Sequence, residues 1–204
     1  MELYNIISEM AKAADLGWGG GYYHVLPKII NENDFKIGAE VGVAYGGNAE
    51  SMLSKTNIEK LYLVDPYQPD WSGTDGYSLP NGENFGKQEY EELYLHALHR
   101  TRGYKNKFNT RTKFIRDTGH AGSTIVDQDL GDNYLDFVFI DAKHTYADLM
   151  ADLKLWAPLV REGGIVSGHD FGHESYPGIE KCVRQWALGN TINLEDGFVW
   201  WVRV

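Results

Sequence analysis

The chain has 204 residues, 43% hydrophobic and 24% charged, enough apolar material for one packed domain and a composition that argues against extensive disorder. Its 29 acidic residues outnumber 19 lysines and arginines, and a net charge of −10 offers no general attraction to a phosphate backbone, so no nucleic acid partner is expected. A single cysteine, Cys182, excludes an intramolecular disulfide and any multi-cysteine zinc site.

The first residues, MELYNIISEM, carry no basic start followed by an apolar run, and no apolar stretch approaches the ~18 residues of a membrane span. A cytoplasmic chain with no membrane partner is expected. Residues 1–36 read as an N-terminal helical cap interrupted by the run Gly17-Trp18-Gly19-Gly20-Gly21. The first strand follows at Ile37–Val43, then a helix at Asn48–Lys55 and a second strand at Leu61–Val64. Residues 66–86 are too rich in turn formers to be regular, and a loop longer than about 15 residues commonly serves as a lid or binding loop, here on the substrate side.

A helix at Lys87–Arg102 leads through the modest basic cluster Arg100–Lys113, read as a solvated helix end, to a strand at Lys113–Arg116. Next come a helix at Ala121–Asp127 and a strand at Leu135–Ile140. Tyr146, Leu149, Leu153 and Trp156 recur at three- and four-residue steps, the mark of an amphipathic helix over Tyr146–Pro158 that packs on the sheet. Gly163-Gly164 stops that helix and opens a strand at Gly164–Ser167. The helix at Gly178–Leu188 carries Cys182 among apolar residues as a buried structural thiol. Phe198–Val204 is the last strand. Short apolar runs alternating with helices predict one α/β domain over 1–204 with a mainly parallel sheet.

The most informative stretch is Gly38-Ala-Glu-Val-Gly-Val-Ala-Tyr-Gly-Gly-Asn48, where a strand runs into glycines and a helix begins. Gly42 and Gly46 let the backbone turn sharply against a ligand, and the helix N-terminus offers unpaired N–H groups. The spacing Glu40-x-Gly42-x-x-x-Gly46 is not the Gly-x-Gly-x-x-Gly that accommodates a pyrophosphate. S-adenosylmethionine, which has no phosphate and carries an ammonium group suited to Glu40, is the expected cofactor. Asp65 closes the second strand 19 residues beyond Gly46, where an acid accepts hydrogen bonds from ribose hydroxyls. Asp117 follows the third strand, whose end is expected beside that of the first, within reach of the adenine edge.

Glu40–Gly47, Leu63-Val-Asp-Pro66, Asp136-Phe-Val-Phe-Ile-Asp-Ala-Lys-His-Thr-Tyr146 and Gly163-Gly-Ile-Val-Ser-Gly-His-Asp-Phe171 together resemble the class I methyltransferases of small molecules. The likeness is to the group containing catechol and caffeoyl-CoA O-methyltransferases, and nearest to methyltransferase family 24. It implies a Rossmann-like, doubly wound, mainly parallel sheet of seven strands, the last antiparallel, with helices on both faces. It also implies S-adenosylmethionine as cofactor and a small-molecule substrate with a hydroxyl acceptor.

In the catechol-type relatives, acids and an amide at matching strand ends hold a divalent metal. The corresponding ligands here are Asp141, His169 and Asp170, with Asp141 also on the cofactor side. The sequence departs from the family by placing His169-Asp170 where those enzymes have Asp-Asn, and histidine is a poorer partner for Mg²⁺ than for Mn²⁺, Fe²⁺ or Zn²⁺. His144 stands where they carry a lysine credited as base, and His169 is its rival for that role. Trp18, Tyr22, Tyr23, Trp71 and Tyr77 are candidate pocket residues, while His96 and His99 are placed on a solvated face. A metal-dependent hydroxylase or hydrolase on the same fold, and a non-catalytic cofactor-binding protein, are the alternatives. Aromatic residues near the termini serve either a homodimer interface or the core.

Overall fold

The computed structural model describes residues 2–17, 19–69, 76–104 and 111–204. Trp18, Trp71 and the middle of the basic cluster lie outside the described residues. Five parallel strands form the body of the sheet: β1 (Ile37–Val41), β2 (Lys60–Val64), β3 (Thr112–Ile115), β4 (Leu135–Ile140) and β5 (Val160–Gly168). Two antiparallel strands complete it, β6 (Asn193–Glu195) and β7 (Val199–Arg203), in the order β3-β2-β1-β4-β5-β7-β6. The final strand therefore inserts between β5 and β6, the expected seven-stranded, mainly parallel arrangement.

Period-2 alternation of apolar residues builds both faces. Leu61, Leu63, Phe137 and Phe139 point to one layer, while Tyr62, Val64, Val138 and Ile140 point to the other. The first layer is covered by α1 (Leu3–Leu16), α2 (Val25–Asn33), α3 (Gly47–Lys55) and α4 (Lys87–Thr101); the second by α5 (Gly119–Leu130), α6 (Tyr146–Trp156) and α7 (Pro177–Trp186). Thr118 and Thr145 cap α5 and α6 by accepting from Ala121 N and Asp148 N. Leu149, Leu153 and Trp156 are buried as the helical spacing predicts, and Cys182 is fully buried.

Two side chains tie the cap and α3 in place. Arg100 donates to Asp15 of α1 at 2.8 and 3.1 Å and to Glu50 of α3. This arginine is a buried-side clasp rather than part of a solvated helix end. Arg111 donates to the carbonyls of Leu53, Thr56 and Ile58, satisfying groups that the end of α3 leaves open.

The structure also moves several boundaries. The first strand stops at Val41 because Gly42 turns at φ 88°. β5 begins at Val160, four residues earlier than its β-branched run suggests, with a register shift against β4 near Gly163. β6 has only three residues, Asn-Leu-Glu, too short and polar to signal a strand. The expectation that the third strand lies beside the first is overturned: β3 pairs with β2, since both edges of β1 are taken by β2 and β4. β1 and β4 leave in opposite directions, so a crevice opens at their carboxyl ends.

Candidate active site

The glycine turn sits over that crevice. At Gly42 a Cβ would fall 1.9 Å from the Asp141 carbonyl oxygen, so close approach of the two strand ends requires glycine there. Gly46, at φ 76°, is the residue from which α3 starts. Asp65 organises the turn itself: its carboxylate accepts from Val43 N at 2.9 Å, Ala44 N at 3.1 Å and Tyr67 N at 2.9 Å. Burial pushes its pKa up against the opposing pull of these three donors. Ala44 and Tyr67 adopt positive φ of 49° and 44°, and Tyr67 donates its hydroxyl to the Ala44 carbonyl at 3.1 Å. Left-handed backbone in non-glycine residues is uncommon and concentrates at ligand-facing positions.

Glu40 lies beneath the turn, 2% exposed. Its Oε1 accepts from Asn48 Nδ2 at 3.0 Å, while Glu40 Oε2 and Asn48 Oδ1 have no partner among the described residues. Burial pushes the carboxyl up to about 8; the Asn48 bond works against this, and Asp141 and Asp65 add to it. A buried acceptor pair with no donor suits the ammonium of an amino-acid ligand.

The second constellation stands at the ends of β4 and β5, which are paired Ile140 to Gly168. His144 Nε2 lies 3.0 Å from Asp170 Oδ2 and 3.5 Å from Asp141 Oδ1. His169 Nδ1 lies 3.2 Å from Asp170 Oδ1 and 3.8 Å from Asp141 Oδ2. Asp170 is 5% exposed and held at φ 63°. Burial disfavours charge on His144, but hydrogen bonds and charge from Asp141 and Asp170 outweigh it and push the imidazole up to about 11. His169 is raised in the same way, against burial, chiefly by its bond to Asp170. The two histidines hold the Asp170 carboxyl well below the usual range although burial opposes this.

The arrangement accordingly keeps a proton on His144 at neutral pH, bonded between two carboxylates. Asp141, His144 and Asp170 each offer one ligand atom within 4.8 Å of the others, a set that could hold a divalent cation. His169 lies beside this set, its ring tilted against that of Tyr22 with centroids 4.2 Å apart. Two carboxylates and an imidazole suit Mn²⁺, Fe²⁺ or Zn²⁺ as readily as Mg²⁺.

Other expected residues fall as follows. Asp117 is exposed, its carboxylate accepting from Thr118 N at 2.8 Å. Tyr23 packs its ring on Gly47 at the start of α3. Tyr77 of the 66–86 segment meets Tyr45 of the glycine turn edge-on at 5.5 Å and also packs on Phe85 and Tyr90. His99 is exposed as expected, but His96 is not solvated: its Nδ1 is buried, and burial leads the lowering of its pKa. Sequence reasoning missed Asn48 as the partner of Glu40, and Tyr176, whose ring stacks on His144 at 4.4 Å. Neither carries a signal in the spacing, because each pairing crosses a turn or joins separate elements.

A switch-point crevice with a glycine turn and buried acids defines a Rossmann-like domain that binds a nucleoside cofactor without a pyrophosphate. The methyltransferase-domain family matches residues 39–171, and the chain belongs to it: it is a class I S-adenosylmethionine-dependent methyltransferase. Comparison with the curated proteins gives no match.

Solved structures share the fold. An O-methyltransferase from Bacillus cereus in complex with S-adenosylhomocysteine is 14% identical, with TM-score 0.57 over 100% of this chain and 91% of that one. A TDP-rhamnose 3′-O-methyltransferase of calicheamicin biosynthesis is 16% identical, TM-score 0.55, over 83% of this chain and 73% of that one. The O-methyltransferase NovP is 17% identical, TM-score 0.53, covering 87% and 75%. No helix among the described residues is long and apolar enough to cross a membrane.

Proposed function

We propose that the protein transfers the methyl group of S-adenosylmethionine to a hydroxyl of a small molecule, with a divalent cation held by Asp141, His144 and Asp170. The observation that carries this reading is the convergence of those three side chains within 4.8 Å of one another at the crevice. The names of the O-methyltransferases that share the fold support oxygen as the acceptor atom.

Glu40 receives the cofactor's ammonium through its unpartnered oxygen, and Asp65 holds the turn against the ribose side. Asp141, His144 and Asp170 would hold the cation, which when bound would supply Lewis acidity to orient the acceptor hydroxyl and lower its pKa. His144 would hold the cation in its neutral form, and His169, bonded to Asp170, can take the hydroxyl proton only from its own neutral form. The acceptor oxygen forms a bond to the methyl carbon as the carbon–sulfur bond breaks, and S-adenosylhomocysteine leaves. Tyr77 and Tyr45 close the site from the 66–86 side and exclude water.

Calorimetry tests both halves. Binding of S-adenosylhomocysteine at micromolar concentration, and of Mn²⁺ with release of a proton, is expected. Absence of nucleoside binding would sink the reading. Turnover that needs metal but ignores S-adenosylmethionine would instead favour a metal-dependent hydroxylase or hydrolase.

A further inference from the structure

Tyr22 belongs to the cap, which the sequence assigns to the acceptor pocket, yet its side chain is only 3% exposed and turned inward. Its hydroxyl donates to Asp141 Oδ2 at 3.1 Å. Its ring lies 4.2 Å from that of His169 and stacks on Phe139 at 6.1 Å. The hydroxyl bond sorts the two oxygens of Asp141. Oδ2 is taken by Tyr22, with His169 Nδ1 out of bonding range at 3.8 Å, while Oδ1 faces His144 at 3.5 Å. A carboxylate torsion is broad and roughly two-fold, so a donor on one oxygen decides where the other points.

The seat of Tyr22 is itself built. Gly197, in the β6–β7 turn at φ 66°, would place a Cβ 2.8 Å from Tyr22 Cβ and 2.9 Å from the Gly21 carbonyl oxygen. Val25 N bonds the Tyr22 carbonyl at 2.9 Å where α2 begins, and Arg100 ties Asp15 of α1 to α4. The chain is thus anchored on both sides of Tyr22.

We infer that Tyr22 is a positioning residue for the reaction cluster: its hydroxyl holds Asp141 so that Oδ1 meets His144 and Asp170, making the N-terminal cap a working part of the site. The inference rests on the proposed role of that cluster. Tyr22→Phe removes the hydroxyl and keeps the ring on His169. In the full chain its Mn²⁺ affinity by calorimetry is expected to fall about 10–100-fold, as for other residues that orient a ligand. S-adenosylhomocysteine affinity is expected to stay within about twofold, since Glu40 and Asp65 and their hydrogen bonds are left intact.

The ¹⁵N imidazole resonances of His144, assigned against His144→Gln, are expected to shift in Tyr22→Phe. Gly197→Ala, which displaces the whole segment, is expected to shift them too. Wild-type Mn²⁺ affinity together with unshifted His144 resonances in Tyr22→Phe would overturn the inference. If the wild-type protein binds no Mn²⁺, the metal leaves the proposed function, and the His144 resonances alone decide Tyr22: a shift supports its role and none overturns it.

Discussion

Glu40 and His144 carry opposite lessons about burial. Burial pushes the Glu40 carboxyl up to about 8, against its one amide partner and with no compensating cation among the described residues. A cationic cofactor head must find it ionised, so affinity for S-adenosylhomocysteine is expected to strengthen between pH 6 and pH 8, at most about tenfold per unit, and then level off. Calorimetry of Glu40→Gln should show weaker binding and a flat profile over that range. The same shift acts on folding: a raised carboxyl stabilises the folded state below its unfolded value, and this is lost as pH climbs from about 4.5 to about 8. Glu40→Gln is therefore expected to raise the melting temperature of the ligand-free protein most clearly at pH 8. His144, with two carboxylates, is instead charged up to about 11. His144→Ala is expected to abolish methyl transfer and Mn²⁺ binding while leaving nucleoside affinity nearly unchanged; full activity in that variant would remove it from the mechanism.

At the scale of elements, the crevice depends on how β1, α3 and β4 meet. Gly42→Ala would force a side chain into a left-handed φ and against the Asp141 carbonyl, a cost of about 2 kcal/mol or more by urea denaturation. Arg111→Ala would leave the carbonyls of Leu53, Thr56 and Ile58 short of a donor, about 1–3 kcal/mol by the same measurement. It acts at the far end of α3 from the glycine turn, so nucleoside affinity should change little. Most elements were legible because their apolar spacing is forced by the layers they bury, as with Leu149, Leu153 and Trp156. β6 was not, since three residues of mixed polarity carry no period.

For the whole molecule, the local code and the assembly contributed different things. Glu40, Gly42, Gly46, Asp65, Asp141, His144, His169 and Asp170 stand out in the sequence as candidates, because a strand must end before a turn and chemistry-bearing residues collect at strand ends. The alternation of elements likewise determined an α/β sheet, since apolar runs buried on both faces admit few other arrangements. Only the tertiary structure decided that β2 separates β3 from β1, that Asp65 laces the glycine turn, and that the ligand atoms of Asp141, His144 and Asp170 gather within 4.8 Å of one another. It also turned Tyr22 from the acceptor pocket to Asp141, across 119 residues of chain. Strand order and side-chain direction depend on contacts between segments distant in sequence, and no local periodicity records them.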